Sequence, residues 1–126
     1  MSVLGIGTDI VEVARIEQMA EKARQRLAER VLTKEELDRY SAHRQPVSYL
    51  AKRWAAKEAA SKAIGFGIAN GLSFQHFQID SRENGAPVLI LADRALELAQ
   101  QMGANSWHIS LSDEKHYALA MVVLSS

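Results

Sequence analysis

Two stretches far apart in the chain carry charged residues in positions that invite chemistry. In Trp54-Ala55-Ala56-Lys57-Glu58-Ala59-Ala60-Ser61-Lys62, helical spacing stacks Trp54, Glu58 and Lys62 on one face. A carboxylate and an ammonium one turn apart can hold a cation or a phosphate, and they can equally form an ordinary surface ion pair in its favoured orientation. The second stretch is Gly5-Ile6-Gly7-Thr8-Asp9-Ile10, in which an aspartate interrupts an apolar segment beside two glycines. Aspartate suits a strand interior poorly, so Asp9 reads either as a strand-end cap or a satisfied buried acid, or as a functional carboxylate.

These residues must be positioned by a small domain. The 126 residues fit one compact unit, 1–126, able to bury roughly two thirds of the surface its unfolded chain exposes. With 48% hydrophobic and 24% charged residues, and only 2 prolines and 7 glycines, no segment reads as disordered. Cysteine is absent, which removes disulfides and thiolate chemistry and fits a reducing compartment, so a cytoplasmic location is expected. No basic segment precedes the first apolar stretch and no apolar run approaches the roughly 20 residues of a membrane span, so neither secretion nor membrane insertion is expected. The formal net charge of +0 gives no general attraction to nucleic acid.

Apolar periodicity predicts a strand over 3–13 and a helix over 14–31, with a break near 23–25. Thr33 and Glu36 form a capping-box pattern that starts a short helix reaching about His43. Pro46 suits the first turn of a further helix over 47–64, and Gly65 its end. Phe74 to Asp80 alternates, Asn84-Gly85 is a turn signal, and Pro87 to Leu91 resumes the alternation, which predicts a hairpin. A helix over 92–102 closed by Gly103 and strands over 107–112 and 117–124 complete an α+β domain with a mixed, largely antiparallel sheet and packed helices. Trp54, Phe66, Phe74 and Phe77 read chiefly as core.

Taken together, Gly7, Asp9 and Ile10 followed in mid-chain by Trp54, Lys57, Glu58, Ala59 and Lys62 resemble the phosphopantetheinyl transferase superfamily. The likeness continues through Ala63 to Ile68, Asn84-Gly85-Ala86-Pro87 and the closing strands, and so spans the chain. A single unit of this length is similar to the branch that serves acyl carrier proteins; its members assemble as homotrimers with active sites between subunits. The resemblance implies the phosphopantetheinyl transferase fold and attack of a carrier serine on the β-phosphate of coenzyme A, releasing 3′,5′-ADP. It also implies Asp9 and Glu58 as ligands of Mg2+, which favours oxygen donors, and Lys62 as an electrostatic catalyst. The proton acceptor stays open between Glu58, a metal-bound water and a carboxylate of the carrier.

The coenzyme A contacts expected on this resemblance are Arg53, Lys57 and His108 for the 3′-phosphate and adenine, Ser61 and Gly65 beside the pantetheine and phosphates, and Asn84, Gly85 and Pro87 at the nucleotide-side turn. His108 reads equally as a structural histidine, and Asn84-Gly85 as a hairpin turn alone. Arg15, Met19, Lys22, Arg26 and Arg30 fall at helical steps and would form one basic face for docking an acidic carrier protein; Glu17, Glu21 and Glu29 on the same stretch also allow an ordinary solvated face. Two other functions compete: a noncatalytic trimeric module that grips carrier or coenzyme A, and a magnesium-dependent hydrolase of small phosphorylated metabolites. The first gives no reason for Asp9, Glu58 and Lys62, and the second none for a docking face.

Overall fold

The computed structural model describes residues 2–69 and 71–126. Its elements are β1 (Val3–Glu12), α1 (Val13–Glu17), α2 (Glu21–Val31), α3 (Lys34–Ala42), α4 (Pro46–Ile64), a 3-10 turn (Phe74–His76), β2 (Phe77–Ser81), β3 (Pro87–Leu91), α5 (Asp93–Gln101), β4 (Ser106–Asp113) and β5 (Tyr117–Ser125). The α+β domain with antiparallel strands is as expected, and the strands form two sheets: β1-β5-β4 and the hairpin β2-β3. Every pairing is antiparallel.

α4 is the axis of the molecule. Pro46 stands in its first turn and Gly65 ends it in the left-handed conformation at φ 93°, where a side chain would be strained. Its buried alanines, Ala51, Ala55, Ala56, Ala59, Ala60 and Ala63, let neighbouring elements approach closely. Val11, Ala118, Ala120, Val122 and Leu124 of the three-stranded sheet share one core with α4, as do Phe77 and Ile79 of β2 and Leu98 of α5. The closest approach is at β1: a Cβ on Gly7 would fall inside the backbone oxygen of Ala59, and one on Gly5 inside that of Ala63. Only glycine lets the two elements touch there, and two residues further on the same strand face carries Asp9.

The helix expected over 14–31 is two helices, and the chain breaks at 18–20, not at 23–25. The Arg24 guanidinium donates to Glu17 O and Met19 O, both at 3.3 Å, occupying carbonyls that a continuous helix would have bonded internally. The α3 start follows the sequence pattern in full: Thr33 Oγ1 accepts from Glu36 N, and the Glu36 carboxylate accepts from Thr33 N at 2.9 Å. Phe66 is a correction, since it is 51% exposed and not core, whereas Phe74 and Phe77 are buried. It lies just past the end of α4, where no element packs over the chain.

Candidate active site

The two motifs meet where β1 crosses the C-terminal half of α4. Lys62 Nζ donates to the Asp9 carboxylate and to Thr8 O, each at 3.0 Å. The Asp9 side chain is 19% exposed and that of Lys62 is 55% exposed, so the acid is sheltered and the ammonium reaches from solvent. Glu58 stands one turn before Lys62. Burial, and then the Asp9 charge, hold its carboxyl above the ordinary glutamate range, while Lys62, Arg30 and Trp54 pull it partly back. The Asp9 charge thus adds to the cost of ionising Glu58.

Among the described residues no group of three or more His, Cys, Asp or Glu is placed to hold a metal ion. A donor set of Asp9 and Glu58 therefore excludes a cage built wholly from protein. It fits magnesium, which is commonly held by one or two carboxylates with the remaining positions left to water and phosphate oxygens. Glu58, Ser61, Lys62 and Gly65 line an open hollow of about 350 Å³ with Phe66 and Gly67 on its rim. The Ser61 hydroxyl donates back to Glu58 O at 2.8 Å.

Other residues expected at the site lie elsewhere. Lys57, expected against phosphate, is fully buried: its Nζ donates to the Glu36 carboxylate at 2.6 Å, to Val31 O at 2.7 Å and to Phe74 O at 3.3 Å. Adjacent positions on a helix are about 100° apart, so Glu58 facing the sheet edge turns Lys57 inward. Burial pushes the Lys57 ammonium below its ordinary range, opposed by Glu36. Arg53 lies on another side of α4, stacked on the Tyr49 ring at 4.1 Å in a separate basic hollow of about 550 Å³ shared with Arg39, His43 and Lys52. Its Nε and the Tyr49 hydroxyl are buried without a partner. Nothing in the spacing of Tyr49, Lys52, Arg39 or His43 singles them out, since charges scattered over two helices share a face only once the helices are packed.

Pro87 and His108 line a third hollow, of about 200 Å³, with Arg82, and the His108 Nε2 lies 3.2 Å from both Ser106 Oγ and Ser125 Oγ. Asn84 and Gly85 form the turn beside it: Gly85 has φ 87°, and Asn84 Oδ1 accepts from Ala86 N at 3.0 Å. The basic face is also divided. Arg15 lies on α1 with its guanidinium 5.4 Å from the centre of the Trp54 ring, Met19 is in the break, and Lys22, Arg26 and Arg30 follow one another at four-residue steps along exposed α2.

This fold and this pair of carboxylates define the class: a family model described as the 4'-phosphopantetheinyl transferase superfamily matches residues 5–122, and the chain belongs to that superfamily. Within it, the chain is 54% identical over 126 residues to a holo-[acyl-carrier-protein] synthase of Shewanella frigidimarina, with 100% of both chains covered. It is 50% identical over 124 residues to that of Hamiltonella defensa, covering 98% of each. The crystal structure of holo-[acyl-carrier-protein] synthase from Neisseria meningitidis superposes with a TM-score of 0.89 at 40% identity, over 99% of this chain and 100% of that one. The Helicobacter pylori enzyme, in complex with coenzyme A, does so with a TM-score of 0.81 at 33% identity, over 95% and 99%.

Proposed function

We propose that the chain, as one domain over 1–126, transfers the phosphopantetheine of coenzyme A to a serine of apo acyl carrier protein at Asp9, Glu58 and Lys62. The observation that carries this reading is the convergence of Lys62 on Asp9 beside a Glu58 whose charge the site disfavours, in a chain matched end to end by holo-[acyl-carrier-protein] synthases. The carrier serine oxygen forms a bond to the β-phosphorus, the bond to the bridging oxygen breaks, and 3′,5′-ADP departs with that oxygen's charge. Asp9 and Glu58 would hold magnesium, which supplies neutralisation of phosphoryl charge. Lys62, with its side chain 55% exposed, would donate to phosphate oxygens and stabilise charge that grows on the leaving group. The serine proton would pass to Glu58 or to a carboxylate of the carrier.

Coenzyme A contacts are assigned to Ser61 and Gly65 at the reacting end, and to Arg53, His108 and the Asn84-Gly85-Pro87 turn at the nucleotide end. Within one chain Ser61 with Gly65, Arg53, and Pro87 with His108 line three separate hollows, which supports a site completed by a neighbouring subunit. The outer face of the three-stranded sheet supports the same reading: Ile6 and Ile10 of β1 are each 58% exposed, and Leu119 and Met121 of the adjoining β5 are exposed beside them. A contiguous apolar face of this kind marks an interaction surface, and a homotrimer is the assembly adopted here from the family resemblance. Arg15, Met19, Lys22, Arg26 and Arg30 dock the acidic carrier. No described helix is long and apolar enough to cross a membrane; we assign the protein to the cytoplasm and to the supply of holo carrier for fatty acid biosynthesis.

Intact-mass analysis of apo carrier incubated with this protein, coenzyme A and magnesium tests the reading. A gain of one phosphopantetheine, absent when a chelator is added, is expected. Coenzyme A binding without any mass gain would favour the noncatalytic module.

A further inference from the structure

An α-helix leaves its last carbonyls without partners inside the helix, and a glycine just past the end commonly lets the backbone satisfy them. α2 has no such ending. It stops at Leu32, whose backbone is extended. Leu32 N still reaches Ala28 O, but Thr33 N turns away to the Glu36 carboxylate, so Glu29, Arg30 and Val31 present open carbonyls.

Two side chains from elsewhere in the fold take up all three. Lys57 Nζ of α4 donates to Val31 O at 2.7 Å. The Gln75 side-chain amide donates to Glu29 O at 3.3 Å and Arg30 O at 3.2 Å, and continues to Leu32 O at 2.7 Å. Gln75 is itself held, its backbone N–H donating to Ser73 Oγ at 3.1 Å. Its neighbour Phe74 accepts from Lys57 through its carbonyl and lies under the Arg30 guanidinium, 5.4 Å from the ring centre. The last turn of α2 is thus fixed not by its own sequence but by α4 and by the turn that precedes β2.

We propose that Gln75 is a positioning residue for carrier recognition: it clamps the end of α2 so that Lys22, Arg26 and Arg30 stand at a fixed place relative to Glu58 and Lys62 on α4. This rests on the transferase reading, in which α2 belongs to the docking face. Gln75 is exposed and uncharged, and its amide N–H groups are spent on the α2 carbonyls. Its donors matter because they meet carbonyls at the negative end of a helix dipole. A side chain of similar length that cannot donate should free the turn, and an acid should repel it.

The test is steady-state transfer to apo carrier protein by the full-length protein with Gln75→Met, Gln75→Glu and Gln75→Lys, with KM measured separately for carrier and coenzyme A. The methionine variant should raise the carrier KM roughly fivefold and the glutamate variant more, with kcat and the coenzyme A KM within about twofold of wild type. Lysine, which retains donors, should stay near wild type at high salt, where its added charge no longer steers encounter. Wild-type transfer combined with an unchanged carrier KM in both the methionine and glutamate variants would overturn the inference alone, as would coenzyme A KM rising in step with that of carrier. A wild-type protein that transfers nothing would overturn the transferase reading and this inference with it.

Discussion

Lys57 and Glu58 are consecutive residues on one helix and face opposite demands. Lys57 points into the molecule, where the Glu36 carboxylate and two backbone carbonyls surround it and no surface of the ammonium meets water. Glu58 faces the junction with β1, partly exposed, beside Asp9. Glu36 in turn accepts from Thr33 N and Ile79 N, so the buried pair ties α2, α3, α4 and β2 together. On the inner side of α4 the Lys57 and Glu36 charges partner each other. On the other, Asp9 pairs with Lys62, while burial and the Asp9 charge disfavour the Glu58 carboxylate, the kind of perturbation that marks sites which take ligands. A helix that carries chemistry on one face has to be anchored by the other.

The contrast can be broken from either side. Asp9→Ala and Glu58→Ala should each lower transfer about a thousandfold at limiting magnesium while thermal unfolding stays cooperative; near-normal turnover in both would remove the carboxylates from the mechanism. On the inner face, Lys57→Ala leaves the buried Glu36 carboxylate without its counter-charge. It should cost about 3–5 kcal/mol in denaturant unfolding, so an unchanged midpoint would mean that the pair does not hold the fold. Gly7→Ala acts at the seam between the two faces by forcing a methyl group into the Ala59 carbonyl. A loss of about 1–3 kcal/mol is expected, with transfer falling further as Asp9 is displaced from α4. The smallest effect belongs to the docking face: Arg15→Glu should raise the carrier KM about tenfold at low salt, and the difference from wild type should shrink as salt is added. Equal loss at every salt concentration would place the docking face elsewhere.

Local chemistry was legible in the sequence. The capping box at Thr33 and Glu36, Pro46 and Gly65 at the two ends of α4, and the Asn84-Gly85 turn all depend on neighbours within a few residues, and each forms in the structure. That Asp9 and the α4 motif share one site was implied by the family resemblance; the bond from Lys62 to Asp9 was not expected. The rest depends on contacts that cross the chain. The break at 18–20 is held by Arg24 reaching back, a bond that apolar periodicity does not register. Lys57 was misplaced because the motif that contains it does not say which helix face meets Glu36, far upstream. Phe66 was misread because hydrophobicity alone cannot tell a core ring from one on the rim of a hollow. The two glycines of β1 stood in the motif from the start, but their reason, an Ala-rich helix lying directly against the strand, needs both elements in place.

The most direct measurement sets Glu58→Gln beside Lys57→Met, scoring each for carrier mass gain at saturating carrier and coenzyme A, and for Tm. In the fold, burial and the Asp9 charge hold Glu58 above its ordinary range, so its charged form costs more than that of an ordinary glutamate. The stability it contributes is present in acid and is lost as pH rises through the raised value, leaving the charged group a net cost at neutral pH. Glu58→Gln should therefore abolish transfer while Tm holds or rises slightly at neutral pH, and Lys57→Met should lower Tm while the molecules that remain folded still transfer phosphopantetheine. The reverse pattern, transfer surviving in Glu58→Gln or lost in a Lys57→Met protein of unchanged Tm, would contradict the division of α4 into a chemical face and an anchoring one.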